Sequence, residues 1–233
     1  TFKIVHFNFK SLFLPIDNFI MKIVLPFLFV FVSFTMFSQN SSKPYNQFSM
    51  EAEYGTSIPM IIVSEVSDES FIANYHFGAG IRYMFNQDWG VKGSIMFDQF
   101  KESADLGTNF IRLDAQAHYN LGKKLNIVFT TDEFMGLYVH SGFGVSFAES
   151  LYNDSREHNG NFILGVSPLF RLSDHFSLST DISYILNIKQ HFYFDGIPFD
   201  PATVKFEHGA QVTFSFGLIY YIGKKDKVHA DWY

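Results

Sequence analysis

With 233 residues, the chain has room for one barrel or one compact soluble domain but hardly for two, and its net charge of -6 offers no basic footprint for nucleic acid. The absence of cysteine excludes a disulfide framework, a thiolate metal site and a cysteine-linked lipid anchor. Aromatic content of 19%, with 30 Phe and 12 Tyr, exceeds what a soluble core needs and suits strands that face lipid. A mean hydropathy of only +0.06 is compatible with that, because every second strand residue and the loops are polar.

Residues 1–20 precede Met21 and read as translated upstream sequence. Met21-Lys22, the apolar run Ile23–Phe37 and Ser38-Gln39 form a secretory signal peptide, residues 21–39, with cleavage expected near Ser38 or Gln39. The competing reading, a transmembrane helix, needs ~20 apolar residues and cationic flanks that this run lacks. A polar lead-in, residues 40–46, then opens onto the barrel, residues 47–223, and residues 224–233 begin a periplasmic linker.

From Phe48 onward, about eight stretches alternate apolar and polar residues, the period of a strand with one face in lipid and the other in a polar lumen. The first sets Phe48, Met50, Ala52 and Tyr54 against Ser49, Glu51 and Glu53. The second sets Tyr75, Phe77, Ala79, Ile81 and Tyr83 against His76 and Arg82, and turns through Asn86-Gln87-Asp88. Trp89 to Asp98 and Phe110 to Tyr119 follow in the same pattern. Leu121-Gly122-Lys123-Lys124 opens a connection whose stretch Leu125–Thr131 is expected to extend the fifth strand, Leu137 to Phe147. In the sixth, Phe162 to Arg171, Pro168 implies a bulge or a locally unpaired edge. Leu172-Ser173-Asp174-His175 turns into the seventh, Phe176 to Lys189, and Ala210 to Tyr220 carries the last. The fold class is therefore all-β: an eight-stranded antiparallel transmembrane β-barrel with long extracellular loops (55–70, 101–108, 148–160, 192–209) and short periplasmic turns. The apolar segment Ile58 to Val63 is expected to pack over the barrel mouth. A soluble sandwich or lipocalin-like barrel is the rival, and it would turn the apolar face inward.

Inward parity predicts a lumen charge network of Glu51, Glu53, Arg82, Lys92, Asp98, Arg112, Asp114, Arg171, Asp181 and Lys189. In a barrel this narrow such charges fill the interior and pair across it; the alternative is a gated path for ions. His76, His118 and His140 share that lumen with Ser94, Ser146 and Ser167, so a Ser-His-acid set is geometrically conceivable, but nothing in the spacing singles one out. No His/Asp/Glu spacing suits a metal, no glycine-rich loop cradles a phosphate and no cofactor is expected; the chain reads as no enzyme.

The tail Leu218-Ile219-Tyr220-Tyr221-Ile222-Gly223-Lys224-Lys225, followed by His229-Ala230-Asp231-Trp232, resembles the end of the barrel in OmpA-type envelope proteins. Arg112 to Gly122 and Gly165 to Asp174 resemble that barrel's fourth and sixth strands, and the resemblance covers the chain from about Gln47 onward. It implies a structural barrel held in outer-membrane lipid of a Gram-negative cell. It also implies a following soluble domain that grips peptidoglycan through an Asp and an Arg, neither of which this sequence carries, so a fragment or a barrel-only relative is expected. The rival functions are a small gated porin and, third, a barrel hydrolase on envelope lipid or protein.

Overall fold

The computed structural model describes residues 46–61, 73–101, 106–153, 155–200 and 206–222; the signal-peptide and linker assignments and the tail resemblance lie outside these, apart from Leu218 to Ile222. Eight antiparallel strands close on themselves in sequence order. They are β1 (Gln47–Ile61), β2 (Ala73–Met84), β3 (Trp89–Lys101), β4 (Gly107–Asn120), β5 (Met135–Ser150), β6 (Arg156–Arg171), β7 (Phe176–Gln190) and β8 (Glu207–Ile222). Closure comes from β1 pairing with β8, Phe48 opposite Ile222 through Ile61 opposite Ala210. No edge strand is left, which is what a sheet needs in a medium with no water to hydrate free backbone groups.

Burial follows parity. On β1, Gln47, Ser49, Glu51 and Glu53 are buried while Phe48, Met50, Ala52 and Tyr54 are exposed, and the other strands repeat the inversion with polar residues inside and large apolar ones outside. Phe216 and Phe143 are 65% and 60% exposed. A water-soluble barrel would reverse those faces. At the end that carries the first residue of β1 and the last of β8, here the near end, outward aromatics pair around the rim: Trp89 with Tyr119 at 4.7 Å, Phe48 with Tyr83 at 4.5 Å and Phe176 with Tyr220 at 5.1 Å. Such rings suit the boundary between acyl chains and headgroups.

Side chains set the turns at the near end. Asn86 Oδ1 accepts from the backbone N–H groups of Asp88 and Trp89, both at 2.8 Å, and Ser173 Oγ accepts from Phe176 N at 3.1 Å. The third near-end connection differs from expectation. Leu125–Thr131 does not extend β5; the segment forms two helical turns, α1 (Leu121–Lys124) and α2 (Ile127–Thr130). Asn120 caps the first by accepting from Lys123 N at 3.1 Å, and Asn126, left-handed at φ 57, breaks the chain direction before the second.

The far-end loops are also shorter than expected, because pairing carries the strands onward: β1 runs to Ile61, β5 to Ser150, and β6 starts at Arg156. Of the segment expected to pack over the mouth, Ile58 to Ile61 is consequently strand, with Met60 and Ile61 exposed on the outer side, and Ile62 and Val63 lie outside the described residues. Pro168 causes no register shift. The β6–β7 ladder is unpaired at Ser167 and Pro168 and resumes in phase at Leu169 opposite Ser179.

Candidate functional site

The candidate site is the lumen, where side chains from all eight strands meet. Two carboxylates on one face of β1 form its first cluster. Glu51 Oε2 lies 2.9 Å from Arg82 Nη2 and 2.9 Å from Lys92 Nζ, and Lys92 also reaches Glu53 Oε1 at 3.2 Å. Hydroxyls satisfy the remaining lone pairs: Ser179 donates to Glu51 at 2.6 Å and Ser215 to Glu53 at 2.9 Å. Gly80, directly opposite Glu51, leaves room for this packing, since a Cβ there would lie 2.7 Å from Lys92 Cε.

Asp98 anchors a second cluster, with His76 Nδ1 at 2.5 Å, Arg112 Nη1 at 3.2 Å and Gln211 Nε2 at 3.4 Å. Arg112 also sits 3.5 Å from Asp114, which accepts from Ser94 at 2.5 Å and Gln116 at 2.8 Å. The third cluster gathers on Asp181: His140 Nε2 at 2.8 Å, Ser167 Oγ at 2.7 Å and Ser183 Oγ at 2.5 Å. Each of these charges is desolvated, so its cost is offset only by partners of opposite sign and by hydrogen bonds on the leftover lone pairs. The network supplies most of both, although Arg112 Nε and Asp114 Oδ2 meet only each other, at 3.5 Å and without a hydrogen bond.

Eight of the ten expected network members thus meet inside the barrel: Glu51, Glu53, Arg82, Lys92, Asp98, Arg112, Asp114 and Asp181. Arg171 does not. It is the last residue of β6, where inward parity opens onto the mouth, and it pairs with Asp174 at 2.8 Å and Glu133 at 3.6 Å. Lys189 does not either. A bulge lies between Asn187 and Gln190, Lys189 takes φ 64, and both Ile188 and Lys189 emerge on the outer side. One inserted residue reverses parity beyond it.

The serines bond to carboxylates or amides, not to imidazoles: Ser94 to Asp114, Ser146 to Asn161, Ser167 to Asp181. His118 stacks on His140 at 4.9 Å and meets the edge of Tyr138 at 6.0 Å, and its ring nitrogens make no hydrogen bond to another protein group. Glu53, Lys92, His118, His140 and Asp181 line a cavity of about 20 Å³, room for about one water. Among the described residues, no group of three His, Asp or Glu side chains has the geometry to hold a metal ion.

Apolar clusters, which the sequence reading did not identify, flank this charged middle toward each end. At the far end Phe100, Phe110 and Ala148 from the wall meet Phe192 and Phe194 from the segment after β7. Phe194 packs on Phe100 at 4.7 Å and on Phe110 at 5.6 Å. A bridge between Phe192 and Pro198 folds the segment on itself, and Ser150 Oγ donating to Gly196 O at 2.6 Å and Gln190 Nε2 donating to Phe192 O at 2.9 Å pin it to the wall. At the near end Met84, Tyr138, Leu169, Ile219 and Tyr221 close around Val128 of α2, with the Arg82 guanidinium 5.2 Å from the Tyr138 ring centre. Inward parity at Phe110, Tyr138 and Leu169 was the available signal. The contributions of Val128, Phe192 and Phe194 come from connections, whose direction parity does not specify.

No protein-family model and no curated protein matches the sequence. Among solved structures, Neisserial surface protein A aligns over 74% of this chain and 96% of its own with a TM-score of 0.52 at 14% identity. The fold is that of an outer-membrane β-barrel. Ail, the attachment invasion locus protein of Yersinia pestis, aligns over 76% of this chain and 99% of its own (TM-score 0.44, 18% identity), and OprG of Pseudomonas aeruginosa over 78% and 99% (TM-score 0.41, 10% identity). At these identities the likeness is one of architecture.

Proposed function

We propose that the chain is a structural, non-catalytic anchor in the outer membrane of a Gram-negative cell, of OmpA type, with the near end in the periplasm and the far end outside. The observation that supports this reading is how the described lumen is filled: paired charges in the middle, an apolar cluster toward each end, and a cavity of about 20 Å³ among the charges. A path for ions needs continuous water, and a site for hydrolysis needs a nucleophile on its base with room for substrate. In this role the barrel holds in outer-membrane lipid a partner module that grips peptidoglycan on the periplasmic side.

The test is planar-bilayer recording of the refolded protein. The expected result is a membrane that stays electrically silent after insertion is verified by protease protection. Steady ohmic steps at modest voltage would overturn the anchor reading in favour of the porin.

A further inference from the structure

The connection between β4 and β5 carries apolar side chains that the lumen does not use. Val128 enters the near mouth, but Leu125, Phe129 and Phe134 are each more than half exposed. So is Leu172 in the β6–β7 turn, which is tied to the connection where Arg171 N donates to Phe134 O at 2.9 Å. Phe129, at 79%, is the most exposed large apolar side chain among the described residues. A group of this kind at a polar end of a barrel calls for an occupant that hides it from water.

Local geometry fixes where these side chains lie. A helix turns about 100° per residue, so with Val128 aimed into the mouth the α2 residue aimed most directly away from it is Thr130, which is polar and exposed. Ile127 and Phe129 project to opposite sides, the first half-buried and the second open. The connection is also held at the level of the rim. Lys123 Nζ reaches Gln87 Oε1 at 2.8 Å and Asp88 Oδ1 at 3.4 Å in the β2–β3 turn, and Gly122 lies so close to β5 that a Cβ there would meet Leu137 N at 2.7 Å. The Phe134 ring packs at 6.0 Å on Phe170, an outward residue of β6. Leu172 repeats the outward parity of Phe170 one step further, and its N–H donates at 3.0 Å to the carbonyl of Phe176, a member of the near-end aromatic rim. The exposed group therefore continues the lipid-facing wall past that rim, in the sector from β4 to β7. The β2–β3 turn, Asn86-Gln87-Asp88, offers no counterpart.

We infer that the α1–α2 connection, with Phe134 and Leu172, is an interfacial foot whose partner is lipid: its apolar side chains lie in the boundary between headgroups and acyl chains of the near leaflet. Continuity with the belt decides the occupant, because whatever covers Phe170 and Phe176 also meets Phe134 and Leu172. A soluble partner would have to reach through the headgroups to cover rings that abut the acyl region. The exposed Lys124 and Asp132, which alternate with the apolar positions, suit the same place, since headgroups and water take charges that the acyl region does not. Standing on one side of the barrel, the foot sets its depth and lean, which an even belt leaves free. The inference rests on the membrane reading of the barrel and holds whichever side the near end faces.

The chain contains no cysteine, so a single introduced one carries a nitroxide label at a known place. The full chain is refolded into vesicles of phosphatidylethanolamine and phosphatidylglycerol with the label at Phe129→Cys, Leu172→Cys, Thr130→Cys or, in the belt, Phe216→Cys. Power saturation then compares collisions with oxygen, which concentrates among acyl chains, and with a water-soluble nickel chelate. The labels at Phe129→Cys and Leu172→Cys are expected to favour oxygen about threefold more than the label at Thr130→Cys. Because a label is itself apolar, depth is also read away from the foot, at Leu137→Cys on the outward face of β5. There Leu125→Asp/Phe129→Asp is expected to lower the preference for oxygen about twofold, as that side of the rim rises toward water. Equal preferences at Phe129→Cys and Thr130→Cys, or a Leu137→Cys label unmoved by the two aspartates, would overturn the inference. A belt label at Phe216→Cys in lipid beside an aqueous Phe129→Cys overturns the foot alone, whereas an aqueous belt label overturns the membrane reading as well.

Discussion

At the scale of single residues, the lumen behaves as a set of shared charges. Arg82 and Lys92 both lie on Glu51, and Lys92 is divided between Glu51 and Glu53. Removing one partner of a buried pair leaves an uncompensated charge, a loss of about 3–5 kcal/mol, while removing both leaves little charge to solvate. Arg82→Ala leaves Glu51 to Lys92, which Glu53 shares, so the expected loss falls at the low end of that range, about 3 kcal/mol, in urea titrations in lipid vesicles followed by tryptophan fluorescence. Adding Glu51→Gln to it is expected to restore part of that loss. Additive losses in this double-mutant cycle would show that the two side chains act independently, contrary to the shared network. The same scale shows what the sequence could tell. Glu51, Arg82 and Asp98 were legible as lumen residues because a strand's period writes direction into every second position. Lys189 was not, since a single inserted residue reverses parity and nothing in Asn187-Ile188-Lys189-Gln190 marks where it falls.

At the scale of elements, the informative piece is the segment from His191 to Asp200, which folds back into the far mouth. Its fit depends on Gly196, whose φ is +87 and where a Cβ would strike the carbonyl oxygen of Gly107 and the hydroxyl of Ser150. Gly196→Ala is expected to lift Phe192 and Phe194 out of contact with Phe100 and Phe110 while leaving the strands paired. Limited proteolysis should then cut between Tyr193 and Phe199 several times faster than in the wild type, with an unchanged β-sheet circular dichroism spectrum; equal cleavage rates would show that the glycine does not hold the plug. Strand identity was readable throughout, since alternation over about ten residues has no other common cause. The plug was not, because Phe192, Phe194 and Phe199 have the composition of lipid-facing residues and only contacts with distant strands turn them inward. The helical turns after Asn120 were misread for a related reason. Ile127-Val128-Phe129 is as strand-like as any β-branched run, and the decision fell to the cap at Asn120 and the left-handed Asn126.

At the scale of the whole molecule, the two apolar clusters and the charged middle stand in series along the barrel. Resistances in series add, so the tightest barrier fixes the current and opening any other one changes almost nothing. Removing residues 193–198 would open the far mouth but leave Met84, Tyr138, Leu169, Ile219 and Tyr221 closed around Val128 at the near end. That deletion is expected to remain silent in planar bilayers. Tyr138→Ala combined with Val128→Gly in the intact chain is expected to be silent for the mirror reason. Only the combined variant places bulk water at both ends of the lumen, and its current is then limited by the ion pairs on Glu51 and Asp98. Those groups remain paired when hydrated, so the expected conductance is small and falls as salt is lowered. A far-end deletion that conducted by itself would show that neither the near-end cluster nor the charged middle blocks ions, and that the far-end segment alone holds the lumen closed.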